Sequence, residues 1–375
     1  MAMVLNEDQL MLQESVRSFC QENATVSVLR RLRDERSAAG FDRDLWAQMV
    51  ALGWAGMVIP ETYGGFGFGY GGLGIVMEET GRTLVPTPLL STVVLCGSAI
   101  TLGGSEEQKK LLLPQIASGK LVMALALEET AFHRPTEFNC RVERQGDSFR
   151  LEGSKQFVLD GHIADRFIVV ASHAQTQTTG LFLVDSQQPE VEVRRRMMVD
   201  NRNAADVVFS GVEITADHVL VEPGQADSVL ERTLDIGRIA LAAEMLGSIQ
   251  EVFERTIEYL QQREQFGVQI GAFQALQHRA ALMYSEIELC RSVVRKALDA
   301  LDNDAANIAL LASIAKAKLS EVAELVTNEG IQMHGGIGMT DEFDLGFYLK
   351  RARVAQQSLG DAAFHRDRYA RLSGF

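Results

Sequence analysis

The residues of this chain with the most chemical potential fall into two sets. The first set gathers near position 263. Arg263 follows a long helical pattern and leads into Glu264-Gln265-Phe266-Gly267. Its guanidinium can meet a phosphate through two parallel N–H···O bonds. Gly335 and Gly336 lack a Cβ, so a ligand can approach their backbone N–H groups closely. Phe266 offers an apolar wall beside them. A plainer reading of the same residues stays open, with Arg263 closing a helix and the glycines forming an ordinary loop. The second set consists of carboxylates that could take a proton. Glu244 lies among Ile239, Ala240, Leu241, Ala242, Ala243, Met245 and Leu246, where a lone carboxylate is costly unless it is paired or functional. Asp361 stands at the head of a helical pattern over 362–371, as a proton acceptor or as its N-cap.

Periodicity indicates the elements that must position these groups. Helices are expected over 6–19, with Leu10, Val16 and Phe19 on one face, and over 42–52, 73–83 and 93–102. Ser105-Glu-Glu-Gln signals a capped start for a helix ending near Gly119. From Leu121 the segments become short, branched and aromatic, with Gly146-Asp and Asp160-Gly as turns between them. That reads as an antiparallel β domain. Long helices follow over 230–263, 273–301 and 305–333, and side by side they imply an antiparallel bundle. The expected class is α+β, mostly α. An N-terminal helical domain (1–120) precedes a middle β-barrel-like domain (121–225) and a C-terminal four-helix-bundle domain (226–375).

Composition narrows the function classes. At 375 residues the chain is too long for one small core. A net charge of −14 disfavours nucleic acid and an anionic membrane as partners. The runs Arg30, Arg31, Arg33 and Arg194, Arg195, Arg196 are read as solvated surface. Four dispersed cysteines, Cys20, Cys96, Cys140 and Cys290, form no CxxC pair, so no metal site or disulfide framework is expected and a cytoplasmic setting is natural. No apolar run approaches the ~20 residues of a membrane span.

Several stretches in their order resemble the acyl-CoA dehydrogenase family. They are Pro60-Glu-Thr-Tyr-Gly-Gly, Gly104-Ser-Glu-Glu-Gln-Lys with Leu113-Pro114, Arg263-Glu-Gln-Phe-Gly with Phe273-Gln-Ala-Leu-Gln-His, and Gln332-Met-His-Gly-Gly-Ile-Gly. The resemblance implies FAD as cofactor, an acyl-CoA thioester as substrate and an electron-transferring flavoprotein as acceptor. It also implies a homo- or hetero-oligomer, a dimer or tetramer, in which Arg263, Gln265, Phe266, Gln274 and Gln332 reach a neighbour's FAD. The implied reaction removes an α-proton to a carboxylate while a β-hydride leaves to the flavin.

The chain also departs from that pattern. Leu359 stands where most members carry the base, and Gly237, before Arg238, where others do. Glu244, two helical turns past Gly237, and Asp361 are the replacements, with Glu244 also readable as a partner for Arg238 or for a residue on another subunit. Around the subunit's own flavin, the family's usual residues give way to Glu128-Glu-Thr-Ala-Phe-His-Arg-Pro and to Phe157-Val-Leu159, where Phe157 can still pack on a ring and Leu159 replaces a hydroxyl. These changes leave a second reading beside the dehydrogenase, a catalytically weak partner subunit of a steroid-type or bulky acyl-CoA heteromer. A carbon-acid oxidase on the same scaffold is a third. Gly237, Ala240, Ala243 and Gly247 are read as room for a bulky acyl group.

Overall fold

The computed structural model describes residues 4–375. Helices α1 (Glu7–Asn23), α2 (Val26–Asp34), α3 (Arg43–Ala51) and α4 (Tyr70–Arg82) come first. A π-helix (Leu89–Cys96) runs into α5 (Gly97–Gly103), and α6 (Glu106–Ala117) follows. Eight strands come next: β1 (Met123–Ala126), β2 (Arg141–Gln145), β3 (Ser148–Leu159), β4 (Arg166–His173), β5 (Thr179–Asp185), β6 (Val191–Met197), β7 (Asn203–Ile214) and β8 (Val219–Val221). Helix α7 (Ala226–Gln262) is followed by the short strands β9 (Glu264–Gln265) and β10 (Val268–Gln269). Four helices complete the chain: α8 (Gln274–Asp302), α9 (Ile308–His334), α10 (Leu345–Gln357) and α11 (Ala362–Leu372).

Capping chemistry sets several of these ends. Asn6 and Gln9 form a reciprocal capping box on α1, as Ser105 and Gln108 do on α6. Asp42 accepts from the N–H groups of Asp44 and Leu45 at α3. Along α1, Val16 is buried but Leu10 is 50% exposed, so the expected apolar face is incomplete. Helices α2 and α10 were not foreseen. The expected helix over 93–102 is instead a fully buried π-helix followed by α5, since wider i→i+5 turns accommodate this apolar run.

The contacts divide the chain into two compact units that cut across its linear thirds. One holds the stretch ending at Arg30, Tyr70–Val85 and Arg238–Phe375; the other holds Arg31–Gly69 and Pro86–Gly237. The second unit carries the sheet, in the order β6-β7-β3-β2-β4-β5-β8 with β1 beside β4. The sheet is mixed rather than antiparallel, because β4 pairs in parallel with both β1 and β2. Phe149, Leu151, Phe167, Phe182, Val207 and Phe209 form its core. The Gln108 side-chain amide donates to the carbonyls of Asp217 and Val219, tying α6 to the entry of β8.

The first unit is a helical bundle with charges inside it. Glu79 of α4, 1% exposed, takes two bonds from Arg17 of α1 (2.7 and 3.0 Å). Arg82 of α4 meets Glu251 and Glu254 of α7. The arginine-rich run at 30–33 is not free solvated surface: Arg30 bonds Asp341 and Asp344, Arg31 bonds Asp42 and Arg33 bonds Asp34. Arg195, in the second such run, is half-buried and donates to the carbonyls of Ser37 and Ala38.

Helices α4 and α7 touch through their glycines. A Cβ at Gly247 would lie 1.7 Å from the Glu78 carbonyl oxygen, and one at Gly81 would lie 2.1 Å from that of Glu244. Gly247 therefore serves helix packing and not a roomy cavity, which corrects its expected role. Gly247→Val should separate the two helices and lower unfolding free energy by about 3 kcal/mol. A urea midpoint unchanged from wild type would contradict that packing role.

Candidate functional site

The first set of residues lies at one end of the helical unit. Tyr259 in the last turn of α7 stacks on His334, the last residue of α9, with ring centroids 4.3 Å apart. Phe343 packs on the same imidazole at 4.8 Å. The His334 Nδ1–H donates to the Gly330 carbonyl (2.7 Å), and burial lowers its pKa, so the ring stays neutral and apolar toward its neighbours. This stack holds two loops near one another, the α7–α8 turn beginning at Arg263 and the glycine loop beginning at Gly335.

Both loops point their chemistry outward. Strands β9 and β10 form a minimal hairpin whose two turn residues, Phe266 (φ 57°) and Gly267 (φ 80°), are left-handed. That strained turn leaves Phe266 91% exposed, touching Phe273 edge-to-face at 6.1 Å. Arg263, Gln265, Gln274 and Gln332 are exposed as well. Gly335 has φ 63°, and a Cβ added at Gly335 or Gly336 would meet nothing within 4 Å. A cation, an exposed aromatic ring and open glycine backbone are what a flavin dinucleotide requires of its protein, and these residues fit it.

In the sheet unit, Phe157 and Leu159 are half-buried beside a bulge between Lys155 and Val158. Phe157 has φ 51°, an uncommon conformation for an aromatic residue. Its ring carries the Arg196 guanidinium at 4.4 Å, and Arg196 is paired to Asp206. At least part of the Phe157 surface is thus already covered within the chain.

The divergent stretch after β1 closes on itself. The Glu129 carboxylate accepts from Asn139 N (2.6 Å), Cys140 N (2.9 Å) and the fully buried Lys155 Nζ (2.8 Å). Burial opposes its charge, but Lys155 and the two N–H groups win and hold Glu129 below the usual carboxylate range. Glu128 meets His133.

The two candidate proton acceptors sit in different surroundings. Glu244 is 6% exposed and pairs with Arg351 of α10 (3.2 Å), a partner that sequence reasoning did not identify. Asp361 is half-buried and caps α11, its Oδ1 accepting from Phe364 N (2.8 Å). Between α10 and Asp361, Leu359 (φ 59°) and Gly360 (φ 100°) form a left-handed turn. The Leu359 carbonyl accepts from His365 Nε2 (3.0 Å) and Arg238 Nε (3.4 Å). Lys316 of α9 also reaches this turn, donating to the Gln356 and Gly360 carbonyls. A lysine whose neighbours on the buried face of α9 are Ala312, Ser313 and Ser320 was the available signal for it.

Comparison with known proteins covers the whole of this geometry. Three family models match: Acyl-CoA dehydrogenase, N-terminal domain over 6–120, middle domain over 128–212 and C-terminal domain over 227–373. Mitochondrial isovaleryl-CoA dehydrogenase of Bos taurus is 31% identical, over 96% of this chain and 87% of its own length. Among solved structures, a Tcur3481-Tcur3483 steroid ACAD variant is 32% identical, covers 98% of both chains and has a TM-score of 0.89. Butyryl-CoA dehydrogenase of Megasphaera elsdenii is 26% identical over the full length of both, with a TM-score of 0.91.

Because Phe266 and Arg263 are exposed, Phe266→Ala and Arg263→Ala should leave the flavin-free stability within about 0.5 kcal/mol of wild type. Each should weaken FAD binding by about tenfold or more, read by titration of flavin fluorescence. Undiminished FAD affinity in both variants would remove these residues from the cofactor site.

Proposed function

The chain belongs to the acyl-CoA dehydrogenase family, and on that premise we propose that it is an FAD-dependent enzyme desaturating the Cα–Cβ bond of an acyl-CoA thioester. The observation that carries the proposal is the convergence of Arg263, exposed Phe266 and the open Gly335–Gly336 backbone at one end of the bundle, within a chain matched by all three family domains. Bound FAD supplies the hydride acceptor that no side chain can provide. The reading as a weak partner subunit is not favoured, since the match runs through every domain and the relatives include named dehydrogenases.

The protein's own contribution is to bind, to orient and to take a proton. Arg263, Gln265, Phe266, Gln274 and Gln332, with Gly335 and Gly336, hold the dinucleotide, and their exposure on the single chain suits contact with a neighbouring subunit. Phe157, steadied by Arg196, and Leu159 present apolar surface from the sheet. The proton acceptor is Asp361 or Glu244. Arg351 donates to a Glu244 oxygen (3.2 Å), a tie between α10 and α7 inside the helical unit. Asp361 gives one oxygen to its cap, so we assign it the proton and give Glu244 a structural role.

Electron-transferring flavoprotein is the proposed acceptor of the reducing equivalents. Among the described residues no helix is long and apolar enough to cross a membrane. The four cysteines are buried and unpaired with one another, a placement that suits a reducing compartment such as the cytoplasm, and burial pushes Cys140 up to about 11 and Cys20 and Cys290 up to about 12, which keeps these thiols unreactive.

Anaerobic mixing of the flavin-loaded protein with butyryl-CoA or isovaleryl-CoA should bleach the flavin band. A band untouched by a wide panel of acyl-CoA esters would sink the activity. Asparagine caps a helix as well as aspartate does, so Asp361→Asn isolates the proton step and should lower kcat by about 100-fold. Glu244→Gln should instead cost about 1 kcal/mol or more of stability by taking the negative charge out of the buried Arg351 pair. A full loss of bleaching in Glu244→Gln alone, at unchanged melting temperature, would reverse the two assignments.

A further inference from the structure

Lys316 is a fully buried amine with no carboxylate among its hydrogen-bond partners. It projects from α9, is 0% exposed, and donates to three neutral oxygens: Gly360 O (2.8 Å), Gln356 O (3.0 Å) and Ser320 Oγ (3.2 Å). Gly360 belongs to the left-handed turn that joins α10 to Asp361, and Gln356 is at the end of α10 just before it. That turn includes Leu359 at φ 59°, a conformation that a leucine rarely adopts. A strained turn persists only where its surroundings hold it. Ordinary loops sit on the surface, whereas this one is tied from inside the bundle.

We infer that Lys316 is a positioning residue for the reaction, a buried tie between α9 and the turn 358–361 that places Asp361, and that its proton sets how readily the turn opens. The inference rests on the assignment of Asp361 as proton acceptor.

The groups around Lys316 fix the sign of the effect. Burial is the dominant influence and lowers its pKa to about 7, with Asp361 favouring the ammonium and Arg238 of α7 opposing it. From α11, His365 is turned to the Leu359 carbonyl and Arg368 to Ala309 O and Ser313 Oγ. Helix α10 offers the neutral Gln356 carbonyl, while its Arg351 is engaged by Glu244. Helix α8 meets α9 through Arg279–Glu329, several turns away, and through Lys318–Glu286, on the same turn as Lys316 but about 200° around the helix. An opening that wets the amine restores its ordinary pKa, near 10.4 for a lysine. The closed turn therefore has the lower pKa and binds fewer protons above about pH 7. Opening is easiest below that pH and becomes up to about tenfold rarer per pH unit above it.

Hydrogen–deuterium exchange of the FAD-loaded protein across pH 6 to 9, corrected for intrinsic exchange, reads this directly. In wild type, opening of residues 357–361 should fall as pH rises through neutrality. In Lys316→Met that slope should vanish, and opening at pH 8 should rise about tenfold, because two carbonyls lose their donor. Should that variant misfold, Ser320→Ala removes one of the three partners and should move the midpoint of the slope to lower pH. The kinetic arm uses butyryl-CoA and isovaleryl-CoA: kcat should rise with pH through neutrality in wild type and lose that rise in Lys316→Met, with KM within about threefold. A turn that exchanges identically at every pH, in wild type and variant alike, overturns the tie. Exchange that responds while the kcat profile does not overturns the positioning role. A protein that holds no flavin strikes the proposed function instead, and the exchange result still decides the tie.

Discussion

The geometry of the candidate site depends on one contact, the ring stack between Tyr259 and His334. The α7–α8 turn and the glycine loop after α9 are separated by about seventy residues of chain, yet the proposed site needs cation, aromatic ring and open backbone near one another. An imidazole held neutral by burial and aimed by its bond to Gly330 can lie flat against a tyrosine, and Phe343 closes on it from the glycine-loop side. The consequence is an exposed end of the bundle bearing a nearly bare Phe266. A single chain gains nothing by displaying that ring on a strained turn, whereas a subunit that presents it to a cofactor does.

Charge is treated differently deeper in the unit. Glu79 is sealed in by Arg17, and Glu244 is met by Arg351. Such pairs add little net stability but are damaging to break, since each leaves a buried carboxylate with less compensation. Lys316 departs from that arrangement, being satisfied by backbone carbonyls at the end of α10 and beside Asp361. A helix C-terminus favours a nearby cation. The contrast supports the assignment of roles: a guanidinium-bound carboxylate for structure, and the carboxylate of a tied turn for chemistry.

Much of this was legible in the sequence. The long helices announced themselves by period, Ser105 by its capping pattern, and the family by the order of Arg263-Glu-Gln-Phe-Gly and Gln332-Met-His-Gly-Gly. What escaped was tertiary. The Glu244–Arg351 pair joins positions over a hundred residues apart, and no local pattern marks it. Gly247 reads as free space in a helix of small residues, but the Glu78 carbonyl occupies that space. The parallel pairs involve β1 and β4, which are buried almost throughout instead of alternating, a continuous apolar character that the antiparallel reading passed over. The β1–β2 stretch reads as erosion of a motif, while its Glu129 in fact organises a closed loop around Lys155.

The central claim is that the exposed Arg263–Phe266 turn completes a flavin site only when subunits meet. Sedimentation velocity followed at both protein and flavin wavelengths, over a dilution series of the purified chain, tests it most directly. The account requires the flavin to travel with a dimer or larger species and to be shed as that species dissociates. Flavin that remains on a sedimenting monomer would contradict it.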